Sequence, residues 1–204
     1  MKRLFLLSII MVFVITSTTV YAAEKAPLGI GNIALKLDYI NFTDEDLEDL
    51  DAETGLYLGL EGYGEIAPNI YLGAEIGYAN PEGDIHVYIP FYGLVKVDTE
   101  VTFVPIELNL KYAFDAAPNF VVDLGAGASY NYAKGELTVD GISDDEDDWL
   151  FGGQVFADLN YRSGAFFLGI NAKYQITEDL EIKDIGYKLS GNNWRIGGQI
   201  GIVF

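Results

Sequence analysis

No cysteine occurs among the 204 residues, which excludes a disulfide framework, a thiolate metal site and a lipid-bearing cysteine near the N-terminus. Histidine occurs once, at His86, with no Ser or Thr beside it, so a nucleophile–base pair has little to be built from. Basic residues are scarce: 12 Lys and Arg stand against 31 Asp and Glu, a net charge of -19. Such a surface repels phosphate backbones and excludes nucleic acid as a partner. Long apolar runs are missing too. Past the first fifteen residues no stretch reaches the eighteen apolar residues of a spanning helix. What the chain has in quantity is apolar and aromatic side chains: 50% hydrophobic residues, with 14 Tyr, 12 Phe and 2 Trp. That content excludes disorder along the whole length.

Residues 1–22 read as a secretory signal peptide. Lys2 and Arg3 form its positive start, Leu4 to Ile15 is apolar except for Ser8, and Val20-Tyr21-Ala22 offers a small-residue cleavage pattern. Residues 23–204 then form a single exported domain. Losing Lys2 and Arg3 leaves 10 basic residues against 31 acidic, a mature charge of -21.

The mature chain alternates with period two, the pattern of strands with two unlike faces. Ile33, Leu35, Leu37 and Tyr39 oppose Lys36 and Asp38; Leu56, Leu58 and Leu60 oppose Tyr57 and Glu61. Ile70 to Tyr78, Val104 to Phe114, Phe120 to Tyr130, Trp149 to Tyr161, Phe166 to Tyr174 and Trp194 to Phe204 continue the pattern, giving eight strands. Tight turns at Ala67-Pro68-Asn69, Asp115 to Asn119 and Ser163-Gly164 alternate with four long polar connections, residues 42–54, 80–100, 133–148 and 177–192. Short and long connections in rotation describe an antiparallel meander with unlike ends.

A soluble barrel of the lipocalin type would alternate as well. Here the apolar faces carry no charge, whereas the opposite faces carry Lys36, Asp38, Glu61, Glu65, Glu75, Glu107, Lys111, Asp123, Asp158, Arg162, Lys173 and Arg195. Aromatics gather at both ends of the apolar faces. Tyr39, Tyr78, Tyr130, Trp149, Tyr174 and Trp194 lie toward the long connections, and Tyr112, Phe114, Phe120, Tyr161, Phe166 and Phe204 toward the short turns. Two aromatic girdles around an aliphatic band match the two headgroup layers of a bilayer. The fold class expected is therefore all-β, an eight-stranded antiparallel up-and-down transmembrane β-barrel with its charged face inward. Lumen glycines such as Gly59, Gly73, Gly125, Gly127 and Gly169 are expected to make room for the long charged side chains.

The signal peptide, the eight strands and the terminal Phe204 resemble the small Gram-negative outer-membrane barrels of the OmpA-, OmpX- and OmpW-like kind. Phe103 to Tyr112 and Gly125 to Tyr130 look like strands four and five of such proteins, and Trp194 to Phe204 like their C-terminal insertion signal. The resemblance implies a place in the outer membrane, contact with its lipid and lipopolysaccharide, and engagement of Phe204 by the barrel-assembly machinery. It also implies, for OmpW-like relatives, passage of small apolar solutes through a hydrophobic interior, from which the charged inward face here departs.

Three functions remain open from the sequence. An eight-stranded interior is just wide enough for side chains to fill, so the inward charges form either a salt-bridged plug or a narrow channel. The first reading is a structural or surface-interaction protein, the second a porin-like passage, and the third an outer-leaflet lipid-modifying enzyme, against which the lone His86 argues. No cofactor is expected. The long connections hold 22 acidic residues against Lys96, Lys134, Lys183 and Lys188, a solvated face or a site for divalent cations bridging to lipopolysaccharide. Asp44, Asp46 and Glu48 alternate, but Asp49 stands where an EF-hand needs Gly and Gly55 where it needs Glu. The apolar passage 85–97 reads as a hairpin extension above the membrane, with a lid or a contact surface for a partner as the alternatives.

Overall fold

The computed structural model describes residues 26–89, 93–139, 142–182 and 187–204, and the expected signal peptide lies outside them. The elements run β1 (Gly31–Phe42), α1 (Glu45–Asp49), β2 (Thr54–Ala67), β3 (Ile70–Ala79), β4 (Glu82–Ile89), β5 (Gly93–Ala117) and β6 (Phe120–Val139). They continue with β7 (Ile142–Ser163), β8 (Phe166–Thr177), β9 (Asp179–Ile182), β10 (Tyr187–Ser190) and β11 (Asn193–Val203).

Among the described residues eight of these strands close a ring in the order β1, β2, β3, β5, β6, β7, β8, β11, every neighbouring pair antiparallel. Closure joins the last strand to the first, Ile33 opposite Ile202 and Asn41 opposite Trp194. A closed ladder leaves no edge, which lets a sheet stand in hydrocarbon with its backbone groups paired. No helix among the described residues is long and apolar enough to cross a membrane; the strands are the spanning elements.

The short turns are set by residues tolerant of left-handed backbone. Asn69 and Asn119 take φ of 65° and 69° after Pro68 and Pro118, and Gly164 takes 65°. Asparagine's short polar side chain tolerates this region. Each Ala-Pro-Asn turn is accompanied by a one-residue register shift, between Glu65 and Ala67 and between Asp115 and Ala117.

At the other end the ladder runs further than alternation signalled. Within the connection 133–148 the ladder goes on as the two arms of a hairpin, Ala133 facing Asp148, Glu136 facing Asp145 and Val139 facing Ile142; residues 140 and 141 lie outside the described ones. Both faces of that hairpin meet water, so the sequence loses its two-faced pattern while the backbone keeps its pairing. The passage 85–97 pairs as a hairpin on the outer half of β5, Ile85 opposite Val97 and Val87 opposite Val95; residues 90–92 lie outside the described ones. The connection 42–54 holds the short α1, and 177–192 holds the small β9–β10 hairpin.

Burial alternates along every barrel strand with the apolar side outward. Leu56, Leu58 and Leu60 are exposed while Tyr57 and Glu61, on the alternate positions of the same strand, are buried. Both rings of aromatics lie on the outward surface, where Tyr130 stacks on Trp149 at 4.8 Å, Tyr39 meets Trp194 at 5.6 Å and Phe120 meets Tyr161 at 5.3 Å.

Candidate functional site: the barrel interior

The interior is layered. At the short-turn end Leu28, Tyr63, Tyr71, Val121, Phe156, Phe167 and Val203 form one apolar cluster. At the hairpin end Ile40, Phe42, Leu47, Tyr57, Phe103 and Leu150 form another. Leu28 and Leu47 come from outside the ladder, the first from the turn preceding β1 and the second from α1, so each end is stoppered partly by a non-barrel residue. The Leu28 turn is clamped by the Tyr71 hydroxyl, which donates to Gly29 O at 2.9 Å and accepts from Leu28 N at 3.2 Å. Arg162 donates to the carbonyls of Pro27 at 2.6 Å and Ala26 at 3.1 Å.

Between these clusters lie ten of the twelve inward charges: Lys36, Asp38, Glu61, Glu75, Glu107, Lys111, Asp123, Asp158, Lys173 and Arg195, all buried. Glu65 and Arg162 differ. They sit half-exposed at the short-turn rim, where Glu65 accepts from Asn69 N in the turn at 3.0 Å and Arg162 holds the Leu28 turn. Alternation puts them on the inward face, but they are the last inward residues before the chain reverses.

The buried charges pair across the lumen. Lys36 bridges Glu61 at 2.8 Å and Glu75 at 3.2 Å; Lys111 meets Asp123 at 2.9 Å and Glu61 at 3.9 Å. Lys173 binds Glu75 at 2.7 Å and also Glu107. Arg195 donates to Glu107 Oε1 at 2.6 Å, approaches Glu75 at 3.6 Å and lies 4.4 Å from the centre of the Tyr57 ring. The Tyr57 hydroxyl donates to Glu75 Oε1 at 2.6 Å. Carboxamides fill the next level: Gln154 donates to Asn109 Oδ1 at 2.8 Å, and Gln175 to Ser129 at 2.7 Å and Asn131 Oδ1 at 3.1 Å. Desolvated ions of this kind hold only when geometry and surrounding hydrogen bonds compensate the loss of water.

The lumen glycines make room chiefly for rings and carboxamides. A Cβ on Gly77 would lie 2.0 Å from the Tyr57 hydroxyl, one on Gly73 2.3 Å from the Tyr63 ring, and one on Gly125 2.2 Å from the Phe156 ring. Gly127 and Gly169 give way to Asn109 and Asn160. Of the five glycines expected to accommodate charge, Gly59 has a charged group, Glu75, among the three atoms nearest its added Cβ, and Tyr57 lies nearer still. Bulky aromatics on an inward face that also holds ions were not singled out by charge pattern; an inward aromatic next to a cross-strand glycine was the available signal.

Phe204 lies exposed on the outward face at the short-turn end, its carbonyl accepting from Ile30 N at 2.8 Å and Gly31 N at 3.1 Å. His86 is exposed on β4, opposite Lys96. Among the described residues no three His, Cys, Asp or Glu groups converge to hold a metal ion.

Fold and interior together define a membrane-spanning β-barrel with an apolar outer wall and an ion-paired core. The chain belongs to the outer membrane protein beta-barrel domain family, whose model matches residues 8–199. It is accordingly a protein of the Gram-negative outer membrane. Solved structures of similar fold include Neisserial surface protein A, 11% identical over 85% of this chain and 97% of that one, with a TM-score of 0.61. OprG from Pseudomonas aeruginosa is 14% identical over 89% of this chain and 100% of that one, at 0.52. Ail, the attachment invasion locus protein of Yersinia pestis, is 11% identical over 84% and 97%, at 0.50. At these identities the likeness is one of fold. No curated protein matches the chain in sequence.

Proposed function

We propose that this barrel is a plugged structural protein that displays acidic hairpins at the cell surface and conducts nothing through its core. The observation that carries the reading is the lumen cross-section. Lys36, Glu75, Glu107, Lys173 and Arg195 come from five different strands and meet in a single ion-paired cluster between two apolar stoppers. An eight-stranded ring has no cross-section left once such side chains fill it.

The work of the protein then lies in its hairpins. β6–β7 and β4–β5 carry rows of carboxylates, Glu82 opposite Glu100, Glu100 opposite Glu136, and Glu136 opposite Asp145. Divalent cations bridging those carboxylates to lipopolysaccharide phosphates fit the chemistry, and the outward aromatic belts fit contact with lipid. Phe204 is the group we assign to recognition by the barrel-assembly machinery. Catalysis is not part of the reading, because exposed His86 has Lys96 rather than a Ser or Thr hydroxyl opposite it.

Single-channel recording of the refolded protein in planar bilayers tests the plug: a flat baseline is expected, and reproducible openings with solute uptake would establish the narrow channel instead. Outer-membrane lipid profiles unchanged by deletion of the gene are expected, and a lost or altered acyl chain would establish an enzyme.

A further inference from the structure

The buried charges of the lumen do not balance. Among the described residues six carboxylates, Asp38, Glu61, Glu75, Glu107, Asp123 and Asp158, share the interior with four cations, Lys36, Lys111, Lys173 and Arg195. The four cations serve Glu61, Glu75, Glu107 and Asp123 at ion-pair distance. Two carboxylates are left. Asp38 accepts a hydrogen bond from Asn171 at 2.9 Å. Asp158 is 2% exposed, and neither of its oxygens has a hydrogen-bond or ion-pair partner among the described residues.

Lys36 and Lys111 act on Asp158 electrostatically without reaching ion-pair distance, and the groups around it are otherwise rich in acceptors. Asp123 stands directly across the ladder from it. Asn160, two residues along the same strand, donates to Asp123 Oδ2 at 3.4 Å and accepts from Gln199 Nε2 at 2.8 Å, which draws Gln199 into the same group. Asp123 Oδ1 and Gln199 Oε1, both buried, are likewise without hydrogen-bond partners. A carboxylate buried without a contact partner is expensive even with Lys36 and Lys111 near it, and positive charge brought to its oxygens offsets that expense.

We propose that Asp158 anchors a small, hard monovalent cation inside the lumen, with sodium as the type ligand and the free oxygens of Asp123 and Gln199 as its further donors. Oxygen donors without sulfur or imidazole select hard cations. The charge selects a monovalent one: Lys111 already neutralises Asp123, so the deficit at Asp158 is a single charge. A calcium ion takes six to eight oxygens, and no cluster of three acidic or imidazole groups is present among the described residues. The site deepens the plugged-lumen reading, because a cation held there occupies the core as the side chains do.

The test is thermal unfolding of protein refolded separately in sodium, potassium and choline chloride at equal ionic strength. A ligand that binds only the folded state raises Tm with the logarithm of its concentration. We expect sodium or potassium to raise Tm by several degrees over choline, and Asp158→Asn, which keeps shape and removes charge, to abolish the difference. Equal Tm in all three salts, or an undiminished response in D158N, would overturn the site. Should D158N fail to refold, sodium-23 relaxation on the native protein decides the matter: broadening relieved by potassium supports the site, and none refutes it. A protonated-carboxyl infrared band that vanishes in D158N would show a proton in the cation's place and also refute it. Planar-bilayer conductance reports on the plug independently, so a barrel can fail one test and pass the other.

Discussion

Replacing Arg195 by Met measures whether the lumen is dry. Met matches the arginine stem as far as Nε, so the substitution keeps the apolar stem and removes the guanidinium that lies over the Tyr57 ring. Glu107 loses its 2.6 Å partner and Glu75 its 3.6 Å one, and the buried charge moves from two excess carboxylates to three. In an interior closed to water, removing one member of a buried pair costs about 3–5 kcal/mol. In a water-filled channel the same pair is screened, and its loss costs about 0–1 kcal/mol. The two outcomes differ by more than the error of a denaturant titration. Reversible urea unfolding in phospholipid vesicles, followed by the fluorescence of Trp149 and Trp194 and by the mobility of unheated samples on gels, reads the difference. Adding Glu107→Gln to the same chain should recover part of the loss, because the second change removes a carboxylate that the first left sharing Lys173 with Glu75. A loss below about 1 kcal/mol for R195M would refute the dry-core argument and with it the ground for the plug.

Two further perturbations separate the layers of the interior. Gly77→Ala places a Cβ 2.0 Å from the Tyr57 hydroxyl and drives the ring off Arg195 and Glu75; destabilisation of about 1–3 kcal/mol in the same urea assay is expected, and a neutral result would mean the ring has another seat. Arg162→Ala frees the carbonyls of Ala26 and Pro27, so limited proteolysis should cut the turn before β1 faster while unheated-gel mobility stays that of a folded barrel. Unchanged proteolysis would show that Tyr71 and the burial of Leu28 hold the turn alone.

Period-two alternation reveals the strands and their charged sides because one face meets hydrocarbon and the other does not. It stops at the point where both faces meet water. Residues 133–148 therefore read as a polar loop, although Lys134 faces Asp147 and Glu136 faces Asp145 in an unbroken ladder. Alternation also places Glu75, Glu107 and Lys173 on inward faces without saying that they meet, since Lys173 lies 98 residues from one and 66 from the other. Only ring closure in this strand order brings them together. Leu28 and Leu47 were hidden for a different reason. Each is a single apolar residue in a non-strand segment with no period to belong to, and its burial follows from where the barrel mouth happens to lie.

The same rule of polar burial operates twice in this chain and produces opposite arrangements. Lipid solvates no charge, so the outer wall is apolar and the charged residues turn inward. The interior is too narrow to keep those residues hydrated, so the lumen must satisfy them with one another, as Lys36, Lys173 and Arg195 do for Glu61, Glu75 and Glu107. The supply of basic residues limits how far this can go. Of the few the chain has, four are committed inside the lumen against six carboxylates, and Arg162 is engaged at the rim by backbone carbonyls. The scarcity of positive charge, which outside leaves the hairpins acidic, thus reaches the core as Asp158, whose two buried oxygens have no hydrogen-bond or ion-pair partner among the described residues. Supplying that missing charge from within tests the reasoning most directly. Gln199→Lys places an ammonium on the inward position that already reaches Asn160 and stands across the ladder from Lys36; with the unneutralised Asp158 to take up the added charge, it should remove the barrel's response to sodium. A Q199K barrel that is destabilised and still responds to sodium would refute the claim that charge deficit, rather than packing, shapes this end of the lumen.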